Sequence, residues 1–410
     1  FQDAQAFARY VAALGGELFI VGGYGRDMIM RRPAGDKDFV ITGLSADKVP
    51  FEKIVGQDFP VFLVEIDGVK CEVALARTEK KNGVGYHGFT FFSDETVTIE
   101  QDLARRDLTI NAMAEMVLSG EVIGDSKSFF DIKNRNIRHN SSAFSDDPLR
   151  VYRVCRFAAM LDGFEISEET LFLMRSLKEE LRNLKAERIY KEFEKAMNSP
   201  NPRKFFDVLK EVDCLDVHFP DVVALDCPDK HDGTTYEHTM RLLEHGNNFK
   251  MRTALLCHDF GKPLTPGEDW PAHHNHDELG EKPVREFCER LRIPKDVEKF
   301  ALTCTREHMR VKRLDAMRPA KIIRLVLETQ DFDDVLDMSF IDSKYRDCAN
   351  IDEETERFLG HIAIMRKVKS IAREITGDTL IAEGHTPEEM GGKQFGEYLL
   401  QRRIEKFKGE

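Results

Sequence analysis

The spacing of apolar residues divides the chain into two parts. Early in the chain, short apolar runs interrupted by glycine, proline or charge predict β-strands. The clearest runs are 18–21, 39–41, 61–64 and 73–76. After Asp147 the apolar positions recur at helical spacing almost to the end. The pattern predicts an α+β fold, with a mixed-sheet head followed by an all-helical body.

Two polar, turn-forming stretches indicate where this body divides. They lie at 139–142 and 227–233, and such clusters typically separate periodic segments. The predicted organisation is a head over 1–140, a helical neck over 141–225, a histidine-rich helical module over 226–350 and a helical tail over 351–410.

Composition narrows the class of protein. Hydrophobic residues make up 41% and charged residues 32% of the chain, as in soluble globular proteins. No apolar run approaches the roughly 18 residues of a membrane span, and the N-terminal residues show no signal peptide. Eight cysteines without a CxxC pair favour the reducing cytoplasm. The net charge of −13 counts against a nucleic-acid partner unless a local basic patch binds it.

A glycine pair follows the first predicted strand. Gly22 and Gly23 come directly after Val21, and Arg26-Asp27 begin a predicted helix. Glycines let the backbone approach a phosphate closely, and a helix N-terminus favours its negative charge. An ordinary turn is the alternative for this pair taken alone.

Carboxylates flank the second and fourth predicted strands. In a strand, Asp36 and Asp38 face the same side, where a shared cation such as Mg²⁺ would relieve their repulsion and hold a triphosphate. A solvated strand entrance is the alternative. Glu72 is the first candidate for the third carboxylate of a two-metal site, and Glu79 is the reserve.

The segment 105–113, Arg-Arg-Asp-Leu-Thr-Ile-Asn-Ala-Met, makes a specific resemblance visible. Together with the glycine pair and the two aspartates, it resembles the class II branch of the polymerase β superfamily, which contains CCA-adding enzymes and bacterial poly(A) polymerases. The resemblance implies a polymerase-β-like nucleotidyltransferase head in which Gly23, Arg26, Arg106 and Asp107 contact the nucleotide. It also implies that Asn111 assists from the same helix as Arg106.

A second family motif, Glu-Asp-x-x-Arg, is matched at 146–150. The resemblance implies that Asp147 and Arg150 read the Watson–Crick edge of the incoming C or A. Helical spacing places both on one face, although Asp147 before a proline is also a typical helix cap. Arg153 and Arg156 extend a basic stripe that either contacts phosphate or solvates the helix.

Three positions depart from the family pattern. Tyr24-Gly25 replace Ala-Val after the glycine pair, and Asp146 replaces the first Glu of the template. Ser128 stands where the family has a hinge glycine, and of that motif only Asp131 is retained in place. The hinge change bears on synthesis of the full CCA more than on nucleotide transfer. The segment between Arg77 and Arg105 corresponds to the family's flexible loop and has its full length, so the resemblance implies that A addition is possible.

The histidine-rich module resembles the HD phosphohydrolase superfamily. An adjacent histidine and aspartate end an apolar helix, preceded by one histidine and followed by others at 274, 276 and 308. The expected ligands are His238, His258, Asp259 and Asp342, with Asp342 preferred to His308 as the last. Such ligands suit a transition-type divalent metal, of which Ni²⁺ is one candidate.

The combined resemblance extends from about Leu18 to the 401–404 segment, and implies a cytoplasmic enzyme that acts on the tRNA 3′ end with CTP, ATP and Mg²⁺. The HD site would hydrolyse 2′,3′-cyclic phosphates, 2′-nucleotides and other phosphate esters. Two alternatives stay open: an A-adding or poly(A)-type polymerase, and an HD hydrolase whose head serves only for RNA binding. A homodimer is one option for the assembly, and no membrane partner is expected.

Overall fold

The structure is a computed structural model that describes residues 1–33, 37–53, 61–81, 89–347 and 349–409. The chain is divided into two compact units. The first contains Phe1–Ala196 and Lys204–Val217, and the second contains Met197–Arg203 and His218–Glu410. Among the helices of these described ranges, none is both long enough and apolar enough to cross a membrane.

Most of the strands lie in the first unit, and the last two in chain order lie in the second. They are β1 (Glu17–Val21), β2 (Asp38–Thr42), β3 (Glu52–Lys53), β4 (Val61–Ile66), β5 (Val69–Leu75), β6 (Thr78–Lys81), β7 (Phe89–Phe92), β8 (Met113–Met116), β9 (Val122–Gly124), β10 (Asn136–Ile137), β11 (Glu165–Ile166), β12 (Pro228–Asp229) and β13 (Gly233–Thr234). The four apolar runs therefore begin or fall within strands, as predicted, although β5 ends before Ala76.

Helices account for most of the rest. They are α1 (Ala4–Ala13), α2 (Gly23–Ile29), α3 (Ile99–Ala104), α4 (Ser126–Lys133), α5 (Arg150–Met160), α6 (Glu168–Ser176), α7 (Lys178–Leu181), α8 (Ala186–Met197), α9 (Arg203–Glu211), α10 (Leu215–His218), α11 (Pro220–Ala224), α12 (Thr235–Leu243), α13 (Phe249–Cys257), α14 (His276–Leu279), α15 (Glu281–Leu291), α16 (Lys295–Val311), α17 (Pro319–Glu328), α18 (Phe332–Lys344), α19 (Ile351–Glu374), α20 (Gly377–Ala382), α21 (Pro387–Met390) and α22 (Gly392–Gly409).

The main sheet is mixed, which confirms the predicted class. Its order is β3-β4-β5-β2-β1-β8-β9. The pair β2–β5 is parallel, whereas the other neighbouring pairs are antiparallel. A mixed sheet can bury both faces of its central strands, so their apolar runs are nearly continuous rather than alternating.

Each face of this sheet has its own apolar cluster. One cluster contains Phe39, Ile41 and Val73 and is covered by Phe7 and Val11 of α1. The other contains Val21 and Val40. Because neighbouring residues of a strand face opposite ways, the residue before Phe39 points to the second face, where the site lies.

The second unit is arranged around a buried helix. Residues 253–257 of α13 are all buried, and a helix that is apolar on every side belongs in a protein interior. Asn248 caps its start by accepting a hydrogen bond from the amide of Met251 at 2.8 Å. Because the helix runs through the interior, the two residues that follow it, His258 and Asp259, are buried as well.

Candidate functional sites

Gly22 brings three separate motifs of the head together at the end of β1. Its φ of 78° lies in the left-handed region, which glycine adopts without a steric penalty. A Cβ added to Gly22 would lie 3.4 Å from Nη1 of Arg106 and 3.7 Å from Oδ2 of Asp38. The glycine turn, the aspartate of the second strand and the Arg-Arg-Asp motif therefore meet at one point.

The sheet register places Asp38 next to Glu72. In the parallel pair β2–β5, Phe39 is opposite Val73, so the preceding residues, Asp38 and Glu72, are adjacent on the other face. Both are exposed, and neighbouring carboxylate oxygens of this kind fit Mg²⁺. Asp36 lies outside the described residues, as do residues 82–88 of the flexible-loop segment, and Glu79 lies in β6.

A chain of hydrogen bonds extends from the glycine turn into the neck. Arg26 donates to Asn111 at 2.9 Å, and Asn111 donates to Asp107 at 3.3 Å. Arg153 donates to the second oxygen of Asp107 at 2.7 Å. Burial alone would raise the pKa of Asp107, but the charge and hydrogen bond of Arg153 lower the pKa to about 2. The expected nucleotide-binding residues are thus fixed before any ligand binds.

Arg106 and Asn111 do not share a helix, so that expectation was wrong. Helix α3 ends at Ala104, and Asn111 ends a separate 3₁₀ turn over Thr109–Asn111. Asp107 accepts a hydrogen bond from the amide of Leu108 at 2.9 Å. An aspartate that bonds to the local backbone competes with helix formation, which explains the break.

The geometry of Asp147 and Arg150, the pair expected to read the base, differs from the prediction. Asp147 has an extended backbone ahead of α5, while Arg150 begins that helix, so the two do not share a helical face. Asp147 caps the amide of Leu149 at 3.1 Å and pairs with Arg188 at 2.7 Å. Arg150 donates to two backbone carbonyl oxygens, at 2.6 and 2.8 Å. Asp147 therefore caps the start of the helix with one carboxylate oxygen, while Arg188 holds its other oxygen.

Glu192 is a buried charged residue that the sequence interpretation missed. It lies on α8 and accepts from Nε of Arg156 at 2.5 Å, while Nη1 of Arg153 is 3.8 Å away. The guanidinium of Arg156 also lies 4.0 Å from the ring centroid of Phe157. Both arginines of the stripe are thus paired with carboxylates, Arg156 in a buried position and Arg153 in a half-buried one. A glutamate within the apolar stripe of α8 was the available signal.

Helix α4 accommodates the serine that stands at the position of the family's hinge glycine. Ser128 is fully buried in α4, and its amide donates to the carbonyl of Asp125 at 2.9 Å. The retained Asp131 accepts from Thr109 at 2.7 Å and from Asn136 at 2.8 Å. This segment therefore forms a regular capped helix around the aspartate.

The second unit gathers the four expected metal ligands in its interior. His238 lies on α12 and Asp342 on α18, and both are buried. Nε2 of His238 is 3.0 Å from Oδ1 of Asp342, and Nε2 of His258 is 3.1 Å from Oδ2 of Asp259. His238, His258 and Asp342 could together hold one ion. Asp342, preferred over His308 from the sequence, thus lies at this group.

The cluster chemistry fits a cation. Nδ1 of His258 faces the carbonyl oxygen of Leu255 at 2.8 Å, so Nδ1 carries a hydrogen, and in the neutral ring Nε2 is the nitrogen that would present a lone pair to a metal. That Nε2 is buried and makes no hydrogen bond, although carboxylate oxygens surround it. Imidazole nitrogen with carboxylate oxygen is a donor set that transition metals favour.

Asp232 is a further residue that the sequence interpretation did not single out. Its Oδ2 lies 2.9 Å from Nδ1 of His238, and its Oδ1 pairs with Arg241 and accepts from the amide of Asp347 at 2.8 Å. A carboxylate behind a histidine orients the ring and turns its other nitrogen toward the metal.

A second histidine pair lies beyond Asp259. His276, at the start of α14, and His308, on α16, are buried, and Asp259 completes a second group that could hold an ion. Nε2 of His276 is 3.3 Å from Oδ1 of Asp259. His274 is exposed and does not belong to the cluster. Lys262 pairs with Oδ2 of Asp259 at 2.7 Å.

Three family profiles match the chain. "Poly A polymerase head domain" matches residues 18–138, "Probable RNA and SrmB- binding site of polymerase A" matches 163–225, and "HD domain" matches 233–338. Together with the mixed sheet and the two sites, they define a nucleotidyltransferase of the poly(A) polymerase head class that also carries an HD domain.

Relatives that match nearly the whole chain identify its family more specifically than the three profiles do. A "Multifunctional CCA protein" of Acinetobacter baumannii (strain AYE) is 37% identical over 409 residues, covering 95% of this chain and 96% of the relative. A protein of the same name from Acinetobacter baylyi is 38% identical with the same coverage. The chain belongs to the multifunctional CCA protein family.

Solved structures agree on the fold. The Thermotoga maritima CCA-adding enzyme complexed with tRNA is 20% identical with a TM-score of 0.66, over 99% of this chain and 90% of that one. The Bacillus stearothermophilus CCA-adding enzyme in complex with CTP is 23% identical with a TM-score of 0.64, over 88% and 82%.

Proposed function

We propose that the head adds C and A residues from CTP and ATP to the 3′ end of tRNA, without a nucleic-acid template. The observation that carries this proposal is the meeting of Asp38, Arg106 and the glycine turn at Gly22. A solved CCA-adding enzyme of the same fold is complexed with tRNA, and others are complexed with CTP or ATP. Membership of the multifunctional CCA family supports the same reaction for this chain.

The carboxylates, the glycine turn and Arg106 would together bind the metal and the triphosphate. Asp36, Asp38 and Glu72 bind Mg²⁺, which when bound would neutralise the triphosphate and align the attacking 3′-oxygen. Gly23 lets the backbone approach the triphosphate. Arg106 is suited to a phosphate because its guanidinium offers a planar fork of donors.

The remaining head residues hold and select the nucleotide. Asp107 accepts from a ribose hydroxyl, in a position fixed by Asn111, Arg26 and Arg153. Asp147 and Arg150 select C and A, since one acceptor and one fork donor distinguish these bases from G and U by hydrogen-bond pattern. Arg156 supports the stripe through Glu192.

An A-adding or poly(A)-type polymerase is the second candidate for the head. Ser128, in place of the family's hinge glycine, is the observation that favours it. A buried serine within a regular helix is less free to change backbone conformation than glycine, so a head that must switch from C to A would be restrained there.

One assay distinguishes these head activities. Purified protein is incubated with Mg²⁺, labelled CTP and ATP, and a tRNA that ends just before its CCA, and the products are sequenced. We expect C, C and A in that order. Extension by A alone, or by a long A tract, would support the second candidate, and no extension with an intact HD activity would support the RNA-binding role of the head.

We propose that the second unit is a metal-dependent phosphohydrolase. His238, His258, Asp259 and Asp342 hold a transition-type divalent metal, for which Ni²⁺ is a candidate, and a bound ion of this kind activates water for attack on phosphorus. The proposed substrates are 2′,3′-cyclic phosphates, 2′-nucleotides and simple phosphomonoesters. Hydrolysis of each is measured with Mg²⁺, Ni²⁺, Co²⁺ or Mn²⁺ added separately, and no hydrolysis with any of them would disprove this activity.

A further inference from the structure

A small pocket lies beside the HD cluster, where α18 and α19 meet the residue that follows α16. It encloses about 260 Å³, part of which is open to solvent, and the stacked rings of Phe340 and Phe358 form its apolar side. Sites that enclose an organic ligand of drug size measure roughly 300–1,000 Å³. This α18 pocket is therefore suited to a small ion rather than to a nucleotide. Its polar residues are Lys312, Ser339, Ser343, Glu354, Arg357 and His361.

Ser339 brings a buried donor without a partner into the α18 pocket. Only 3% of Ser339 is exposed, and its hydroxyl makes no hydrogen bond to any residue that the structure describes. A buried hydroxyl on a helix can bond to the carbonyl oxygen four residues earlier, as those of Thr253 and Thr305 do at 2.8 and 2.9 Å. Because an unsatisfied buried polar group is costly, the hydroxyl of Ser339 needs an acceptor inside the pocket.

Asp342 connects the α18 pocket to the proposed metal ligands. Nε2 of His238 faces Oδ1 of Asp342 at 3.0 Å, whereas Lys312 pairs with its Oδ2. Nζ of Lys312 is buried, and Asp342 is its only partner within the described ranges of the chain. Since a lysine carries three N–H donors, Lys312 can bind a second acceptor in the pocket.

The charge of the α18 pocket depends on what Asp342 binds. Glu354 lines the pocket, but Nη1 of Arg357 pairs with it at 3.0 Å, so these two charges cancel. Without a metal, Asp342 supplies the counter-charge of Lys312, and it also lies 3.5 Å from Nη2 of Arg346. A divalent cation on Asp342 would offset that negative charge, and a buried positive charge needs a counter-charge. An anion in the pocket would supply it.

We propose that the α18 pocket binds inorganic phosphate, and that a divalent metal in the HD cluster strengthens this binding. A tetrahedral oxyanion accepts hydrogen bonds from several directions, here from Lys312, Ser339 and the part of Arg357 that does not contact Glu354. Phosphate is also the product of monoester hydrolysis at the neighbouring centre. The metal dependence rests on the phosphohydrolase site proposed above, whereas the pocket itself does not.

The two ions should strengthen each other's binding. If the metal raises the affinity for phosphate by some factor, phosphate raises the affinity for the metal by the same factor. Phosphate released by monoester hydrolysis would therefore help to retain the metal in the centre that produced it.

The experiment measures binding of labelled inorganic phosphate to the full chain by equilibrium dialysis. Asp36→Ala/Asp38→Ala serves as the reference protein, because it lacks the proposed metal ligands of the head. We expect the reference protein to bind phosphate about 10-fold more tightly with Ni²⁺ than without metal. Its affinity for Ni²⁺, measured with and without phosphate, should change by the same factor.

Three variants in the reference background separate the pocket from the metal as the site of binding. Metal-free Asp342→Asn should bind phosphate about 10-fold more tightly than the metal-free reference, because Lys312 has lost its counter-charge and no metal is present to bind the anion. Ser339→Ala should weaken binding by about 10-fold. Glu354→Gln should tighten it, since a negative charge leaves the pocket. The matched control is Glu356→Gln, an equal charge change at an exposed position of the same helix, which should have no effect.

The outcomes separate this proposal from the phosphohydrolase site. If Ser339→Ala and Glu354→Gln leave phosphate binding to the metal-loaded protein unchanged, the anion binds the metal directly, and the pocket is disproved while the phosphohydrolase site stands. If the reference protein binds no Ni²⁺, the phosphohydrolase site fails, and metal-free Asp342→Asn decides on the pocket: no tighter phosphate binding there overturns it. Circular dichroism and thermal unfolding of every variant ensure that a loss of binding is not a loss of fold.

Discussion

The head site and the HD cluster differ in how exposed their carboxylate and histidine side chains are and in how these side chains are paired. In the head, Asp38 and Glu72 are exposed at the edge of a sheet, and the buried Asp107 is already paired with Arg153. In the HD domain, the ligand side chains are buried, and Nε2 of His258 has no hydrogen-bond partner.

This difference suggests how each site uses metal. Exposed carboxylates are screened by the solvent, so we expect the head to fold without a bound ion. In the proposed reaction Mg²⁺ would then enter together with each nucleotide. Buried acceptors that face each other cost free energy until a cation arrives. We therefore expect the HD metal to be resident and coupled to stability, and the head metal to exchange with substrate.

The largest expected effect comes from removing a head carboxylate. Asp36→Ala or Asp38→Ala should reduce CTP and ATP incorporation by on the order of 1,000-fold or more, about 4 kcal/mol in activation free energy, because the triphosphate loses its ion. Hydrolysis of 2′,3′-cyclic phosphate should be unchanged in the same preparations. Incorporation near that of the unsubstituted protein would contradict the assignment.

Substitutions in the HD cluster provide the converse test of whether the two sites act independently. His258→Ala or Asp259→Ala should remove phosphohydrolysis and leave nucleotide incorporation within about 2-fold, since the two sites lie in different units of the fold. Both activities are measured on each variant with Mg²⁺ and Ni²⁺ supplied separately. A folded variant that loses incorporation as well would show that the sites depend on each other.

Metal should stabilise the two regions unequally. At 100 times its dissociation constant, an ion that binds only the folded state adds about 2.7 kcal/mol of stability. We expect Ni²⁺ to raise the Tm of the unsubstituted protein and of Asp38→Ala, but not that of His258→Ala. Equal shifts in all three proteins would mean that the stabilising ion binds outside the HD cluster.

Substitutions at Asp147 and Arg150, the proposed base-selecting pair, should have an intermediate effect confined to the head. Arg150→Ala should reduce C and A addition together by about 10- to 100-fold, although loss of its two carbonyl contacts will also loosen the start of α5. Asp147→Asn replaces an acceptor by a donor on one side, and should change the ratio of C to A. Arg188→Ala is the control, because it removes the partner of Asp147 and keeps the carboxylate. An unchanged base preference in Asp147→Asn would leave the helix cap as its only role.

The smallest expected effect is on the stability of the folded protein at acid pH. The pKa of Asp107 is about 2 in the folded protein, below its unfolded value of about 3.9. Its contribution is therefore fully present above the unfolded pKa and is lost as the pH falls from about 4 to 2. Asp107→Asn should cost about 2 kcal/mol at pH 7 and flatten the acid limb of unfolding in this interval. An unchanged acid limb, measured by thermal unfolding between pH 2 and 7, would contradict this linkage.

Local periodicity determined the elements of both regions, since strand and helix spacing are properties of neighbouring residues. The strands around 39–41 and 73–76 and the helix before His258 were predicted on that basis. The expected helices were wrong at 106–111, where the resemblance implied a shared helix, and at 147–150, where helical spacing predicted one. At both places an aspartate side chain bonds to a nearby backbone amide. Those bonds break a helix that the sequence pattern would continue.

The sequence by itself indicated the two candidate sites, because a pair of aspartates at a predicted strand and an adjacent histidine and aspartate after an apolar helix are local motifs. Only the tertiary structure decided which distant residues join them. Glu192, Asp232 and the His276–His308 pair reach their sites from elements far apart in the chain. No local pattern encodes such contacts, because they arise from sheet register and from the way helices pack.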